Sequence, residues 1–107
     1  MSDRGDALWH KIQSDPQLHR VLDYNADLSI QPTLAEQECL NQAFKLFQNG
    51  WRVAKATDKE ELESLAIDIA DFLKRPLCRA MWEQKKKFRN RKFVRFVIKA
   101  VREPSRK

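Results

Sequence analysis

Residues that bend or cross-link a chain are scarce in this sequence: its 107 residues include two glycines, four prolines and two cysteines. Cys39 and Cys78 have neither the spacing of a CxxC motif nor a neighbouring histidine, so a place in the core is expected for both. The longest apolar stretch, residues 93–101, is interrupted by Arg95 and Lys99 and is too short to cross a bilayer. The composition argues against a disulfide-stapled scaffold and against a transmembrane helix.

Groups suited to catalysis are equally few. His10 and His19 stand alone in the sequence, and no glycine-rich loop is present to cradle a phosphate. Asp68 and Asp71 have the spacing that two carboxylates on one surface helix commonly show, which makes a divalent-cation site a weak alternative. We therefore expect a protein that is not an enzyme and that uses no cofactor or metal.

The first six residues lack the basic start and the apolar stretch of a secretory signal. This absence favours a cytoplasmic location. In that compartment the two thiols would stay reduced.

Apolar residues recur three and four positions apart along most of the chain, which is the pattern of amphipathic helices. Hydrophobic residues make up 42% of the sequence, enough to fill one core without disulfides or metals. At this length two separate cores would each be marginal. The sequence predicts an all-α fold, a single compact bundle of about four to six helices that forms one domain over residues 1–107.

The first half of the chain is predicted to form a helical arm, a loop and a long helix. Two short helical pieces are separated by a break before Pro16, which suits the first turn of the second piece. Residues 25–32 have no sustained period and are expected to form a loop. A capping box of the form Thr-x-x-Glu at residues 33–36 then opens the main core helix, which we expect to continue through Gly50 to about Lys55.

A second capping box, formed by Thr57 and Glu60, predicts the start of the next helix. Acidic residues in its first turn complement the helix dipole. The helix should end before Pro76, because proline disfavours helix in the residue before it.

The last third of the chain does not fit one straight helix. At 100° per residue, the apolar residues before position 89 and those of residues 93–101 fall on nearly opposite faces. A helix, a hinge in the basic run 85–92 near Asn90, and a final helix would resolve this mismatch. A continuous helix whose second half packs against another molecule is the alternative.

Charge is distributed unevenly along the chain. Residues 1–73 contain seven Lys or Arg and thirteen Asp or Glu, a net charge of −6. Residues 74–107 contain fourteen Lys or Arg against Glu83 and Glu103, a net charge of +12. Solvated helix faces usually mix both signs, so a basic segment of this density indicates an anionic partner.

The basic segment supplies the candidate binding residues. On an ideal helix six of its cations lie within half the circumference and could follow a phosphate backbone. Trp82 lies among cations, as expected for stacking on an unpaired base. The predicted nucleic-acid-binding residues are Arg79, Trp82, Lys85, Lys86, Lys87, Arg89, Arg91, Lys92, Arg95, Lys99 and Arg102.

The expected partner is a nucleic acid, RNA or single-stranded DNA, contacted through its phosphates without sequence preference. The main alternative is a protein-interaction adaptor. In that interpretation the basic region docks on an acidic partner protein, and the apolar face of residues 93–101 completes a helix bundle in another chain. An anionic membrane surface is the least favoured partner.

A chain of this size that is wholly helical and carries one basic face resembles the small subunits of CRISPR effector complexes. The likeness is one of architecture over the full length, with Lys85, Arg89, Lys92 and Arg95 matching as a basic helix or loop. It implies several copies stacked along a guide-RNA complex in antiviral defence. The basic face would then touch the target or displaced strand without reading its bases.

Overall fold

The computed structural model describes residues 3–102, apart from the side chains of residues 3–6 and of residue 88. This range contains five α-helices, two short 3-10 helices and no strand, which confirms the predicted all-α fold. No helix within it is both long enough and apolar enough to cross a membrane. The α-helices are α1 (Asp3–Ser14), α2 (Leu34–Thr57), α3 (Lys59–Phe72), α4 (Pro76–Lys85) and α5 (Arg91–Arg102), and the 3-10 helices are Pro16–Leu22 and Lys86–Phe88.

The N-terminal arm consists of two helical pieces, as predicted, but the second is a 3-10 helix and not an α-helix. Asp15 caps it by accepting a hydrogen bond from the backbone N–H of Gln17 at 2.9 Å. Pro16 occupies its first turn, where the missing N–H costs nothing. The arm packs against the core through Leu8 and Ile12 of the first piece and Leu18 and Val21 of the second, all of which are buried.

The start of α2 confirms the predicted capping box. The Thr33 hydroxyl accepts from the Glu36 N–H at 3.1 Å, and the Glu36 carboxylate accepts from the Thr33 N–H at 2.8 Å. The helix continues through Gly50 to Thr57, two residues beyond the predicted end. Glycine therefore weakens α2 locally without ending it.

The second predicted capping box is wrong. Thr57 is the last residue of α2, and its hydroxyl donates to the Val53 carbonyl at 2.8 Å. The cap of α3 is Asp58, whose carboxylate accepts from the Glu60 N–H at 2.9 Å. Two helices follow each other without a loop here, so the residue that caps α3 is also the C-cap of α2.

A row of aromatic rings runs through the core and joins four helices. Phe44 of α2 meets Phe72 of α3 edge-on, with ring centroids 6.3 Å apart, and meets Trp82 of α4 at 5.4 Å. Phe93 of α5 lies 6.0 Å from Trp82 and 5.6 Å from Trp51 of α2. Edge-to-face packing of this kind adds to the burial energy of large side chains, so α2 is the scaffold on which α3, α4 and α5 assemble.

The C-terminal third contains the predicted break. Helix α4 ends at Lys85, a 3-10 turn follows, and α5 starts at Arg91. The two apolar faces that a straight helix would point in opposite directions are both turned inward: Met81 of α4 and Val97 of α5 are each 1% exposed. The hinge is therefore confirmed, and the alternative of one continuous helix is wrong.

Candidate nucleic-acid interface

Helix α5 has one buried face and one basic face. Phe93, Val97 and Ala100 are buried against the rest of the bundle. At 100° per residue, all five cations of the helix fall within a sector of about 100° on the opposite side. The helix has twelve residues, which gives this basic face a length of about 17 Å at 1.5 Å per residue. The α5 basic face consists of Arg91, Lys92, Arg95, Lys99 and Arg102, which are all exposed.

Asn90 fixes where α5 begins. Its side-chain oxygen accepts from the backbone N–H of Lys92 at 2.8 Å and of Phe93 at 3.3 Å, which is the bonding of a helix N-cap. No non-glycine residue in the described range has a positive φ, so Asn90 acts by capping and not by a left-handed turn. The opposed apolar faces predicted a hinge here but not this capping role, although asparagine before an apolar-periodic segment is a recognised start signal.

The cations of the α5 basic face have no anionic partner among the described side chains. None of the five side chains makes a hydrogen bond or an ion pair with any of them, and α5 itself contains no acidic residue. Arg91 and Lys92 also lie in the first turn, where the positive end of the helix dipole makes cations unfavourable by about 0.3–1 kcal/mol each. The arrangement does not stabilise the isolated helix and leaves five charges available for an external anion.

Two of the predicted cations share a single carboxylate. Glu83 of α4 accepts from Arg79 at 3.3 Å and lies 2.7 Å from the ammonium of Lys86. The hydrogen bond from Lys86 is the main reason that the pKa of Glu83 is lowered, with Arg79 contributing in the same direction. This carboxylate remains charged at neutral pH, so Arg79 and Lys86 form a local cluster and contribute less positive potential than predicted.

The cations of the hinge differ in exposure. Lys87 is exposed, whereas Lys85 and Arg89 are only partly accessible. The Nε atom of Arg89 is buried without a hydrogen-bond partner among the described residues, and burial lowers the pKa of this arginine. Because Arg89 packs against the protein, it is a weaker candidate for phosphate contact than the cations of α5.

The prediction that Trp82 stacks on a base is wrong. Its side chain is 3% exposed and lies between the rings of Phe44 and Phe93. A base cannot reach either face of the indole without unfolding the core. The exposed tryptophan is instead Trp9 of α1, which is 41% exposed and belongs to another part of the molecule.

The structure also corrects two other expectations about the basic segment. The hinge divides the predicted stripe, so Lys85 and Arg89 do not continue the row that begins at Lys92 on one helix. The apolar face of residues 93–101, which the adaptor interpretation placed in another chain, is largely buried within this one: Phe93 and Val97 are each 1% exposed.

The part of the chain that the structure describes contains no group of three or more His, Cys, Asp or Glu residues that could hold a metal ion. Cys39 and Cys78 are both buried as free thiols. Cys78 donates to the Val21 carbonyl at 3.2 Å, and burial raises the pKa of its thiol to about 12. Comparisons of the chain with protein-family models, with curated proteins and with solved structures gave no match.

Proposed function

We propose that this protein is a non-catalytic nucleic-acid-binding protein that contacts the phosphate backbone of RNA or single-stranded DNA through the α5 basic face. The observation that carries the proposal is the combination of five exposed cations on one helix face with the absence of any acidic partner for them among the described residues. A phosphate backbone presents regularly spaced negative charges, and a straight row of Lys and Arg matches this pattern.

The main driving force for such binding is the release of counterions from the nucleic acid. Each phosphate that a Lys or Arg neutralises releases counterions, so the affinity falls as salt is added. The hinge places Lys87 near the start of the same helix, and an added contact there would extend the interface toward α4. The binding free energy therefore comes from charge and depends little on the nucleotide sequence.

The side chains of the α5 basic face favour phosphate contacts over base contacts. Its only polar residues are arginines and lysines that no hydrogen bond or ion pair among the described residues holds in a fixed position, and the nearest tryptophan in sequence, Trp82, is buried in the core. Base recognition needs either aromatic rings for stacking or fixed polar groups directed at base edges. We therefore expect binding without sequence preference.

The resemblance to the small subunits of CRISPR effector complexes extends this proposal to the assembly. In such a ribonucleoprotein the guide RNA provides sequence specificity, and a subunit that holds a strand by its phosphates needs no base recognition of its own. The protein would act together with larger subunits and with further copies of itself.

The test replaces the α5 cations and measures affinity for a short fluorescein-labelled oligouridine by fluorescence anisotropy. The five-site variant has Gln at Arg91, Lys92, Arg95, Lys99 and Arg102, which lowers the formal net charge from +6 to +1. If all five residues contact phosphates, the parent should show a slope of log affinity against log salt of roughly −3.5 on a single strand. The variant should lose most of this slope and most of the affinity.

A control variant with the same net charge separates a local face from a general charge effect. It carries Gln at five exposed cations elsewhere on the protein, namely Lys11, Lys45, Arg52, Lys59 and Lys74. The proposal requires this control to bind close to the parent level. Equal losses in both variants would show that only net charge matters, and unchanged binding of the α5 variant would favour an acidic partner protein, for which poly-L-glutamate is a suitable probe.

A further inference from the structure

A cavity of about 350 Å³ lies among α1, α2 and α3 and includes no residue of α5. Its volume falls within the range of small-molecule sites in proteins. Most of its wall is apolar, and the wall includes two phenylalanines and a half-exposed tryptophan. The apolar lining consists of Leu8, Trp9, Ile12, Ala43, Leu46, Phe47 and Phe72.

Three charged side chains complete the wall, and two of them, Arg75 and Asp71, form an ion pair. Arg75 donates through Nη1 to the Asp71 carbonyl at 3.1 Å and to the Asp71 carboxylate at 3.4 Å. The guanidinium carbon also lies 4.9 Å from the ring centroid of Tyr24 and 5.9 Å from that of Trp9. The side chain of Arg75 is 11% exposed and pairs with the half-exposed carboxylate of Asp71, while its Nε atom is buried without a hydrogen-bond partner among the described residues.

The third charged group, Asp68, has no partner. Its carboxylate makes no hydrogen bond or ion pair with any of the described residues. The Asp68 side chain is exposed at the rim of the cavity, but loss of part of its hydration beside the apolar wall raises its pKa, and the nearby charge of Asp71 adds to this effect. A carboxylate next to an apolar cavity without a counterion is stabilised by a cation that enters the cavity.

We propose that this cavity binds a small amphipathic amine, with its apolar group against Trp9, Phe47 and Phe72 and its ammonium group at Asp68. The combination of one apolar wall and a few convergent polar groups is typical of small-molecule sites. Two carboxylates against one guanidinium leave the polar end of the cavity with a net negative charge, which selects a cation over a carboxylate. The exposed tryptophan at the cavity wall can also contact the ammonium group through its ring face.

This site is independent of the proposed nucleic-acid function. None of the residues that line the cavity belongs to the α5 basic face, and the polar end of the cavity is anionic whereas that face is cationic. Failure to bind an amine would leave the α5 proposal unchanged, and failure to bind nucleic acid would leave the proposed amine site unchanged.

The experiment titrates the protein with phenethylamine and follows the indole N–H signals in ¹⁵N-labelled protein by NMR. The chain has three tryptophans, and Trp51 and Trp82 are buried, so the Trp9 signal, assigned with Trp9→Phe, reports on the cavity. Phenylacetate has the same ring and the opposite charge. We expect phenethylamine to shift the Trp9 signal with saturation and phenylacetate to bind at least about tenfold more weakly, because the carboxylate loses one charged contact.

Two variants test the role of Asp68. Asp68→Asn keeps the shape of the side chain and should weaken phenethylamine binding about tenfold. Glu63→Gln removes an exposed carboxylate from the same helix outside the cavity wall and should bind as the parent does. Three results would each overturn the proposal: no saturable shift of Trp9 with phenethylamine, equal binding of phenylacetate by the parent, or unchanged binding by a folded Asp68→Asn protein.

Discussion

Arg20 and Glu36, sixteen residues apart, form a bidentate ion pair that joins the N-terminal arm to the first turn of α2. The Arg20 Nε and Nη2 atoms lie 3.0 and 2.7 Å from the two oxygens of the Glu36 carboxylate. The remaining donors of the guanidinium bond to the carbonyls of Asp27, Ile30 and Gln31 at 2.9–3.2 Å. All five N–H groups of this arginine are therefore used, two on the Glu36 carboxylate of α2 and three on carbonyls of the preceding loop.

Replacing Arg20 should destabilise the protein by about 3 kcal/mol, because the side chain of Glu36 is only 4% exposed and would keep a charge without its partner. Arg20→Met retains the length of the side chain and removes the charge. Arg20→Lys should also be destabilising, since an ammonium group cannot replace five donors in a fixed plane. Urea denaturation at neutral pH measures both changes, and a loss below about 0.5 kcal/mol for Arg20→Met would contradict the structural role.

Acid should weaken the contribution of this ion pair. Burial alone would raise the pKa of Glu36, but the hydrogen bonds from Arg20 and from the Thr33 backbone outweigh burial, so the pKa is lowered. A lowered pKa in the folded state gives stability that is present above 4.5, the ordinary value, and is lost as pH falls through the folded pKa. The difference in free energy of unfolding between the parent and Arg20→Met should shrink as pH falls below 4.5. A difference in free energy of unfolding that does not change with pH would show that protonation of Glu36 does not weaken the ion pair.

Trp82→Ala should affect stability much more than nucleic-acid binding. The indole is buried between Phe44 and Phe93, and removal of a large aromatic side chain from a packed core costs about 3–5 kcal/mol. Trp82→Phe keeps part of the contact area and should cost less. Thermal denaturation and oligouridine affinity, measured on the same samples below the melting transition, separate the two effects. A stable Trp82→Ala protein with weak binding would contradict the buried position.

Gly50→Ala should stabilise the protein by about 0.5–1 kcal/mol. Gly50 lies inside α2, and an added Cβ would meet the two methyl groups of Leu65 at 3.8 Å, an ordinary contact distance. Alanine loses less backbone entropy than glycine in a helix. The melting temperature should rise. A fall would mean that α2 and α3 pack more closely at Gly50 than this distance allows.

Arg91→Glu should stabilise α5 and weaken nucleic-acid binding. In the first turn of a helix a carboxylate interacts favourably with the dipole and an arginine unfavourably, so the exchange should stabilise by roughly 0.5 kcal/mol. Lys99→Glu in the last turn is the matched control, because there the same change of charge should destabilise. Both variants should bind oligouridine less tightly. Weaker binding together with lower stability in Arg91→Glu would show that Arg91 supports the fold.

Local patterns in the sequence accounted for much of the helical framework. The apolar spacing identified the helices, and the pairing of Thr33 with Glu36 gave the start of α2, because capping depends only on residues three positions apart. The opposed apolar faces predicted the break between α4 and α5, since a helix cannot turn two opposite faces toward one core. Thr57 was misassigned because two helices abut there, and only their packing decides which residue caps the second.

The features of the candidate site can likewise be separated into those that local sequence patterns predicted and those that they did not. The order of the residues was enough to show that the last third of the chain is strongly basic and that the five cations of α5 share one helix face, because charge and helical period are local properties. The ion pairs of Glu83 with Arg79 and Lys86 are also local, because the partners lie four and three residues away. The packing of the helices, by contrast, buried Trp82 and placed Asp68 beside an apolar cavity without a partner. Burial depends on which helices pack together, and this packing joins residues far apart in the chain.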